Sequence, residues 1–497
     1  MTGITLDDAL SWRDIASVAD GRSLQLGAAA WTRIAEARAL VEAIVARGIP
    51  AYGVSTGVGA LSETVVPPEG QRALSRHIVL SHAVGTGPLL SGPETRAIMA
   101  AAVANYTHGR SGVRPAVVEL LLACLANDVI PAVPRQGSVG YLTHMAHVAL
   151  MLIGEGEARV GGVIRPGREA LAHLGLTPLV LEAKEGLSLV NGTPCATGLA
   201  CLALARAERL LDWADAVAAL SFEDLGGQVA AFADIPMSFH QSPGLRATAA
   251  RLRDRLAGSA RLEAARGRRL QDALSLRAVP QVHGAARDAL AYAAGMVDRE
   301  LASATDNPMV YGTPKAPQVF STAHAVGSGV ALAMDALGIA VAAVAAMAER
   351  RLDRLLNPLV SNLPPFLAGT GGLHSGLMIA QYTAASLVAE NRRLAAPASL
   401  DGGITSGLQE DHLSHATPAS LTTLAILGNA AHVLGTEWIA AAQASDLHAG
   451  PERRGTGTEA LHARLRRIVP PYRDDRPLGL DLDRAAAVIG GEDVEPR

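Results

Sequence analysis

A mainly α-helical fold, a long helical bundle with a smaller, loop-rich N-terminal part, is predicted by three features of the sequence. Apolar residues make up 49% of the chain but aromatics only 3%, so alanine and leucine, both strong helix formers, must fill most of the core. From about Ala196 to Gln443 apolar positions recur at helical spacing with few breaks, as a bundle core requires. The most apolar run, Ala336 to Ala348, lies between Asp335 and Glu349. It is short for a bilayer and apolar all round, which points to burial among helices. At 497 residues the chain has room for more than one domain. The patterns divide it into 1–195, an N-terminal region of loops and helices; 196–443, the bundle; and 444–497, a C-terminal helix and polar tail.

Two amphipathic stretches open the chain, the second from Ala28 to Arg47, before Gly48-Ile-Pro50 stops it. A glycine-punctuated loop follows, Ala51-Tyr-Gly-Val-Ser-Thr-Gly-Val-Gly59, and then His77-Ile-Val-Leu-Ser-His-Ala-Val-Gly85. Helices are expected from about Gly92 to Asn127, crossing Arg110-Ser-Gly-Val-Arg114-Pro115. Next comes Pro134-Arg-Gln-Gly-Ser-Val-Gly-Tyr-Leu-Thr-His-Met-Ala-His147. Gly137 and Gly140 permit backbone conformations closed to other residues, and Leu142, Met145, Ala146 and Leu150 read as a buried helix. A tight loop thus delivers Tyr141 and His144 at a helix start. Residues 157–185 carry short β-prone segments such as Ala158-Arg-Val-Gly-Gly-Val-Ile164. Beyond Gln443 the chain turns charged and rich in Pro and Gly before a last short helix and a frayed tail.

The net charge is −4, and of 43 Lys and Arg residues only Lys184 and Lys315 are lysines. No basic stripe suggests nucleic acid, and no membrane partner is expected. Cys124, Cys195 and Cys201 are too few and too scattered for a disulfide framework or a cysteine metal site. His144 and His147, like His412 and His415, stand three apart and could share a helical face. No carboxylate signature accompanies them, so structural histidines are preferred and no metal is expected. The N-terminus lacks the basic and apolar regions of a signal peptide, which makes a cytoplasmic enzyme the expectation.

From about residue 50 to 415, several segments resemble in collinear order those of the histidine and aromatic amino-acid ammonia-lyases. Tyr52-Gly-Val-Ser-Thr-Gly-Val-Gly59 is similar to the family's Tyr-Gly-Val-Asn-Thr-Gly-Phe-Gly, and Leu187-Ser-Leu-Val-Asn-Gly-Thr193 to its Leu-Ile-Asn-Gly-Thr. Gln271-Asp-Ala-Leu-Ser-Leu-Arg277, Thr305-Asp-Asn-Pro308 and Thr405-Ser-Gly-Leu-Gln-Glu-Asp-His412 also follow family motifs. The resemblance implies an antiparallel bundle assembled as a homotetramer, with each pocket built from several subunits. It also implies β-elimination of an amine from a small, amino-acid-like substrate. Tyr52 would be the base, which needs a phenol acidified by positive charge or donors. Arg277 would hold the carboxylate in its planar fork. Asn191 and Gln271 would orient the substrate, with His82 nearby.

The resemblance breaks at the family's electrophile. There Gly-Ser-Val-Gly is followed by Ala-Ser-Gly, which cyclises and dehydrates to a methylidene-imidazolone; here those three residues are missing, and Tyr141-Leu-Thr-His-Met leads directly to Ala146-His147. No Ala-Ser-Gly occurs elsewhere. Ser138 would need its ring-closing nitrogen from β-branched Val139, which crowds the attack. A lyase without this group, and with no other cofactor, needs a nitrogen that leaves unaided. Trimethylammonium betaines offer one, as for ergothionase, a superfamily member similarly lacking the ring. Glu410, Tyr141 and Tyr382 would then hold the cation or handle protons. Leu274 and Ala325 replace family aromatics; His324 and His374 either read a polar side chain or pack in the core. Still open are a conventional ammonia-lyase or aminomutase, the reverse amine addition, and a non-catalytic ligand binder.

Overall fold

Four long helices dominate the computed structural model: Pro194–Asp224, Val279–Leu301, Ser328–Leu356 and Ala416–Asp446. The structure describes all residues except Met1, Thr2, Asp8, Ala449, Pro496 and Arg497, so the last two residues of the polar tail lie outside the described residues. The fold is 60% helical, as the alanine- and leucine-rich composition requires. At about 1.5 Å per residue a helix such as Pro194–Asp224 runs roughly 45 Å. Pro194 pre-sets its first turn, and Gly226, at φ 61°, follows its end.

The chain divides into two compact units, one of Met1–Ala205, Ala293–Asp335 and Pro397–Leu421, the other of Arg206–Tyr292, Ala336–Ala396 and Thr422–Arg497. Boundaries fall inside each of the four long helices, so neither unit is continuous; of the three segments read from the sequence, 1–195 lies within the first unit and 444–497 within the second, while 196–443 is shared between them. Periodicity marks where a helix runs; it does not mark where along that helix the packing partners change.

In the first unit the helices Ala28–Ala46, Gly92–Thr107, Pro115–Ala126 and Thr143–Leu152 appear where the sequence placed them. Gly92–Thr107 starts at a capping box, in which the Ser91 amide donates to Glu94 Oε2 (2.8 Å) and the Glu94 amide to Ser91 Oγ (3.4 Å). The β-prone stretch after residue 157 is an antiparallel pair, Glu157–Val160 with Val163–Pro166. A second hairpin, Met309–Thr313 with Ala316–Phe320, carries exposed Lys315 at its tip.

A polar seam threads the second unit. Arg351 and Glu437, both fully buried, form a bidentate pair (2.6 and 2.9 Å), Ser221 Oγ donates to Glu437 (2.7 Å), and His283 faces Asp215 (2.9 Å). The C-terminal part holds two helices, Thr456–Arg466 and Gly479–Gly490, rather than one helix and a frayed tail. Leu465, Ala485 and Ile489 are buried there, which anchors a stretch whose charge suggests solvation. The apolar run 336–348 belongs to a 29-residue helix, longer than the run itself because polar flanks continue the turn pattern. By length and composition that helix and the stretch Glu185–Asp224 could each cross a membrane; their most apolar windows are 50% and 100% buried within the chain.

Candidate active site

The first unit holds a cavity of about 920 Å³, lined by Tyr52, His82, Tyr141, Asn191 and Glu410, together with Asn307 and Thr322. Tyr52 sits in the loop before the bridge between Thr56 and Val65. Gly53 adopts φ 63°, and a Cβ there would come within 2.3 Å of Leu187 Cδ2, so only glycine lets the loop lie this close to the neighbouring helix. The Tyr52 hydroxyl accepts the Gly59 amide at 2.8 Å. Burial raises its pKa, the Gly59 donor opposes this, and the charge of Glu410 adds to the rise. The acidified phenol expected from the sequence is therefore not present in the single chain: one donor is there, but no cation lines the cavity.

Tyr141 arrives from the loop ahead of Thr143–Leu152. Gly140 (φ 145°) and Leu142 (φ 74°) turn the chain sharply, and the Leu142 amide is held by the Val190 carbonyl at 3.0 Å. The Tyr141 hydroxyl donates to Glu410 Oε2 at 2.8 Å. Burial, and then that carboxylate, keep the phenol protonated. Glu410 is fixed in turn by two backbone bonds to Thr405 (3.3 and 2.9 Å). Asn191 Nδ2 donates to the Asn307 carbonyl (2.6 Å) while its Oδ1 accepts the Gly192 amide (2.9 Å). His82 is shifted below the ordinary histidine range by burial, which leaves Glu63 and Glu410 as the charged lining.

The other residues singled out from the sequence lie elsewhere. His324 lines a separate cavity of about 370 Å³ with Arg110, Tyr311 and Phe320. Gln271, Arg277, His374 and Tyr382 belong to the second unit. Gln271 is exposed, half-buried Arg277 donates through Nε to the Asp272 carbonyl (2.9 Å), His374 stands 3.7 Å from Asp474, and Tyr382 is 66% exposed. His144 bonds the Arg135 carbonyl (3.1 Å) and His147 accepts the Gly85 amide (3.0 Å), both structural partners. Among the described residues, no three His, Cys, Asp or Glu converge as a metal site. Sequence reading gave no role to Asn307, Thr322 or Glu63. Asn307 lay within a recognised turn, but nothing local marked its carbonyl as a partner for Asn191.

A family model for aromatic amino acid lyases matches residues 10–467. The chain belongs to the aromatic amino acid lyase family. Like other members it is a carbon–nitrogen lyase. This family member is similar to a histidine ammonia-lyase of Anaeromyxobacter sp. (strain K), at 42% identity over 98% of this chain and 99% of that protein. Among solved structures it resembles the tyrosine aminomutase of Streptomyces globisporus, with a TM-score of 0.93, 33% identity and 100% of both chains covered. It also resembles ergothionase of Treponema denticola, solved with desmethyl-ergothioneine sulfonic acid, with a TM-score of 0.92, 26% identity and 99% of both chains covered.

Proposed function

We propose that this lyase eliminates an amine across the Cα–Cβ bond of a histidine-like amino acid. The observation that carries the proposal is the convergence of Tyr52, Tyr141, Asn191 and Glu410 on one cavity. Tyr52 takes the Cβ proton, Asn191 orients the substrate, and Glu410 with Tyr141 holds the departing nitrogen and its proton. Arg277 of a second copy supplies the carboxylate anchor and the positive charge that Tyr52 lacks within one chain. A homotetramer accords with the helix Ser328–Leu356, where Leu332 and Ile339, seven residues apart on one face, are 53% and 46% exposed.

The histidine ammonia-lyase relatives favour histidine itself as the substrate. A second reading rests on the loop ahead of Thr143–Leu152. The residues there do not fit a methylidene-imidazolone: the tripeptide is Gly137-Ser138-Val139, and the Ser138 hydroxyl already donates to the Tyr141 carbonyl (3.2 Å). This supports a reaction without that group, on a trimethylammonium betaine such as hercynine or ergothioneine. Such a nitrogen departs as a neutral amine, and the acidic lining suits its cationic head.

Purified protein incubated with histidine, hercynine and ergothioneine decides between them by amine release, with intact mass measured alongside. Ammonia from histidine together with a mass deficit of lost water supports the conventional enzyme. Trimethylamine release at full sequence mass supports the betaine reading. No amine from any of the three, with a ligand-induced rise in melting temperature, leaves a non-catalytic binder.

A further inference from the structure

Lys184 is one of two lysines among 43 basic residues, and it is 1% exposed. It lies just outside the cavity lining, at the start of the short helix Glu185–Val190, which ends at Asn191. Its backbone is left-handed (φ 71°), a costly conformation for a side-chain-bearing residue. The ammonium donates to Ser188 Oγ (2.7 Å) within that helix and to Asp306 Oδ2 (3.1 Å). The other Asp306 oxygen accepts the Asn307 amide (2.7 Å), the Asn307 carbonyl accepts Asn191 Nδ2, and Asn307 Oδ1 accepts the Thr322 amide (2.8 Å).

From this circuit we infer that Lys184 is a positioning residue for the cavity: its ammonium sets the separation between the segment carrying Asn191 and the turn carrying Asn307 and Thr322. The inference rests on the cavity being the lyase site. A compact ammonium suits an enclosed point between two segments, where a planar guanidinium would need room for its fork. Burial pulls the Lys184 pKa down and Asp306 opposes that shift, as expected for a cation held in place by its partner. Lys184 touches no reacting atom, so its effect reaches substrate through the Asn191–Asn307 pair.

Two variants test it, Lys184→Met and the double variant Lys184→Met/Asp306→Asn. The single one strands a buried carboxylate and lowers the melting temperature; the double one removes that charge while its introduced carboxamide oxygen still accepts the Asn307 amide. The double variant should recover most of the melting temperature, and its kinetics are read on whichever of histidine, hercynine and ergothioneine the wild type converts. Its KM should stay raised roughly tenfold or more, the scale on which small misplacements act, with kcat changed far less. Deuterium uptake should rise in peptides covering 185–193 and 305–323 and stay level in Thr456–Arg466. Recovery of KM and uptake together with melting temperature overturns the inference, as does uptake that rises throughout the chain. A wild type that converts none of histidine, hercynine and ergothioneine defeats the proposed function alone, and deuterium uptake still decides the role of Lys184.

Discussion

Tyr52 enters the cavity with one donor, the Gly59 amide, and with Glu410 opposing its ionisation. Tyr52→Phe keeps the ring and removes the proton acceptor, so kcat should fall by about 10²- to 10⁴-fold with substrate binding little changed, measurable as a kcat loss at near-constant KM. Burial and Glu410 raise the phenol pKa within one chain, and Arg277 of a second copy opposes that rise. Wild-type kcat/KM should therefore climb with pH up to the phenol's ionisation and then level, and a profile without any rising limb would exclude Tyr52 as the base. His144 gives a stability test. Burial lowers its pKa from 6.5 to about 4, so between those values the unfolded chain binds a proton that the folded one refuses. Stability is complete above about pH 6.5 and falls as pH drops towards 4, by on the order of 3 kcal/mol from this residue. His144→Gln keeps a donor for the Arg135 carbonyl without titrating, so denaturation midpoints measured from pH 7 to 4 should fall less steeply than in the wild type.

At the scale of elements, the loop Gly137–Leu142 decides where Tyr141 points. A Cβ on Gly140 would meet Ser414 Oγ at 2.7 Å, at a φ of 145°. Gly140→Ala should therefore cost roughly 1–3 kcal/mol in chemical denaturation and, by moving Tyr141 off Glu410, reduce activity further than stability alone explains. This loop was legible in sequence because two glycines and a following helical period announce it. Tyr52, Asn191 and Glu410 were legible through family motifs, whereas the Tyr141–Glu410 bond was not: it joins residues 269 apart in sequence, and no local pattern encodes such a pairing. Of the two C-terminal helices only one was expected, because the burial of Leu465 and Ile489 is not revealed by a local composition that is charged and rich in Pro and Gly.

For the whole molecule, the bundle followed from composition and period, but the division into two units did not, because continuous helices hide the change of partners along their length. The same division leaves Tyr52 in one unit and Arg277 in the other. If different subunits complete each pocket, Tyr52→Phe and Arg277→Met, each inactive alone, should regain partial activity when co-expressed, because mixed assemblies contain some pockets with both native residues. Light scattering should report a tetramer for each variant. Two inactive proteins that remain inactive together would place both residues in pockets of a single chain.

The hairpin Met309–Thr313/Ala316–Phe320 has a practical consequence. Its tip presents Lys315 to solvent while Lys184 is sealed inside, so acylating reagents for primary amines have one accessible side chain to modify, besides the α-amino group. A fluorophore or surface tether can thus be attached at a known point without engineering a new residue.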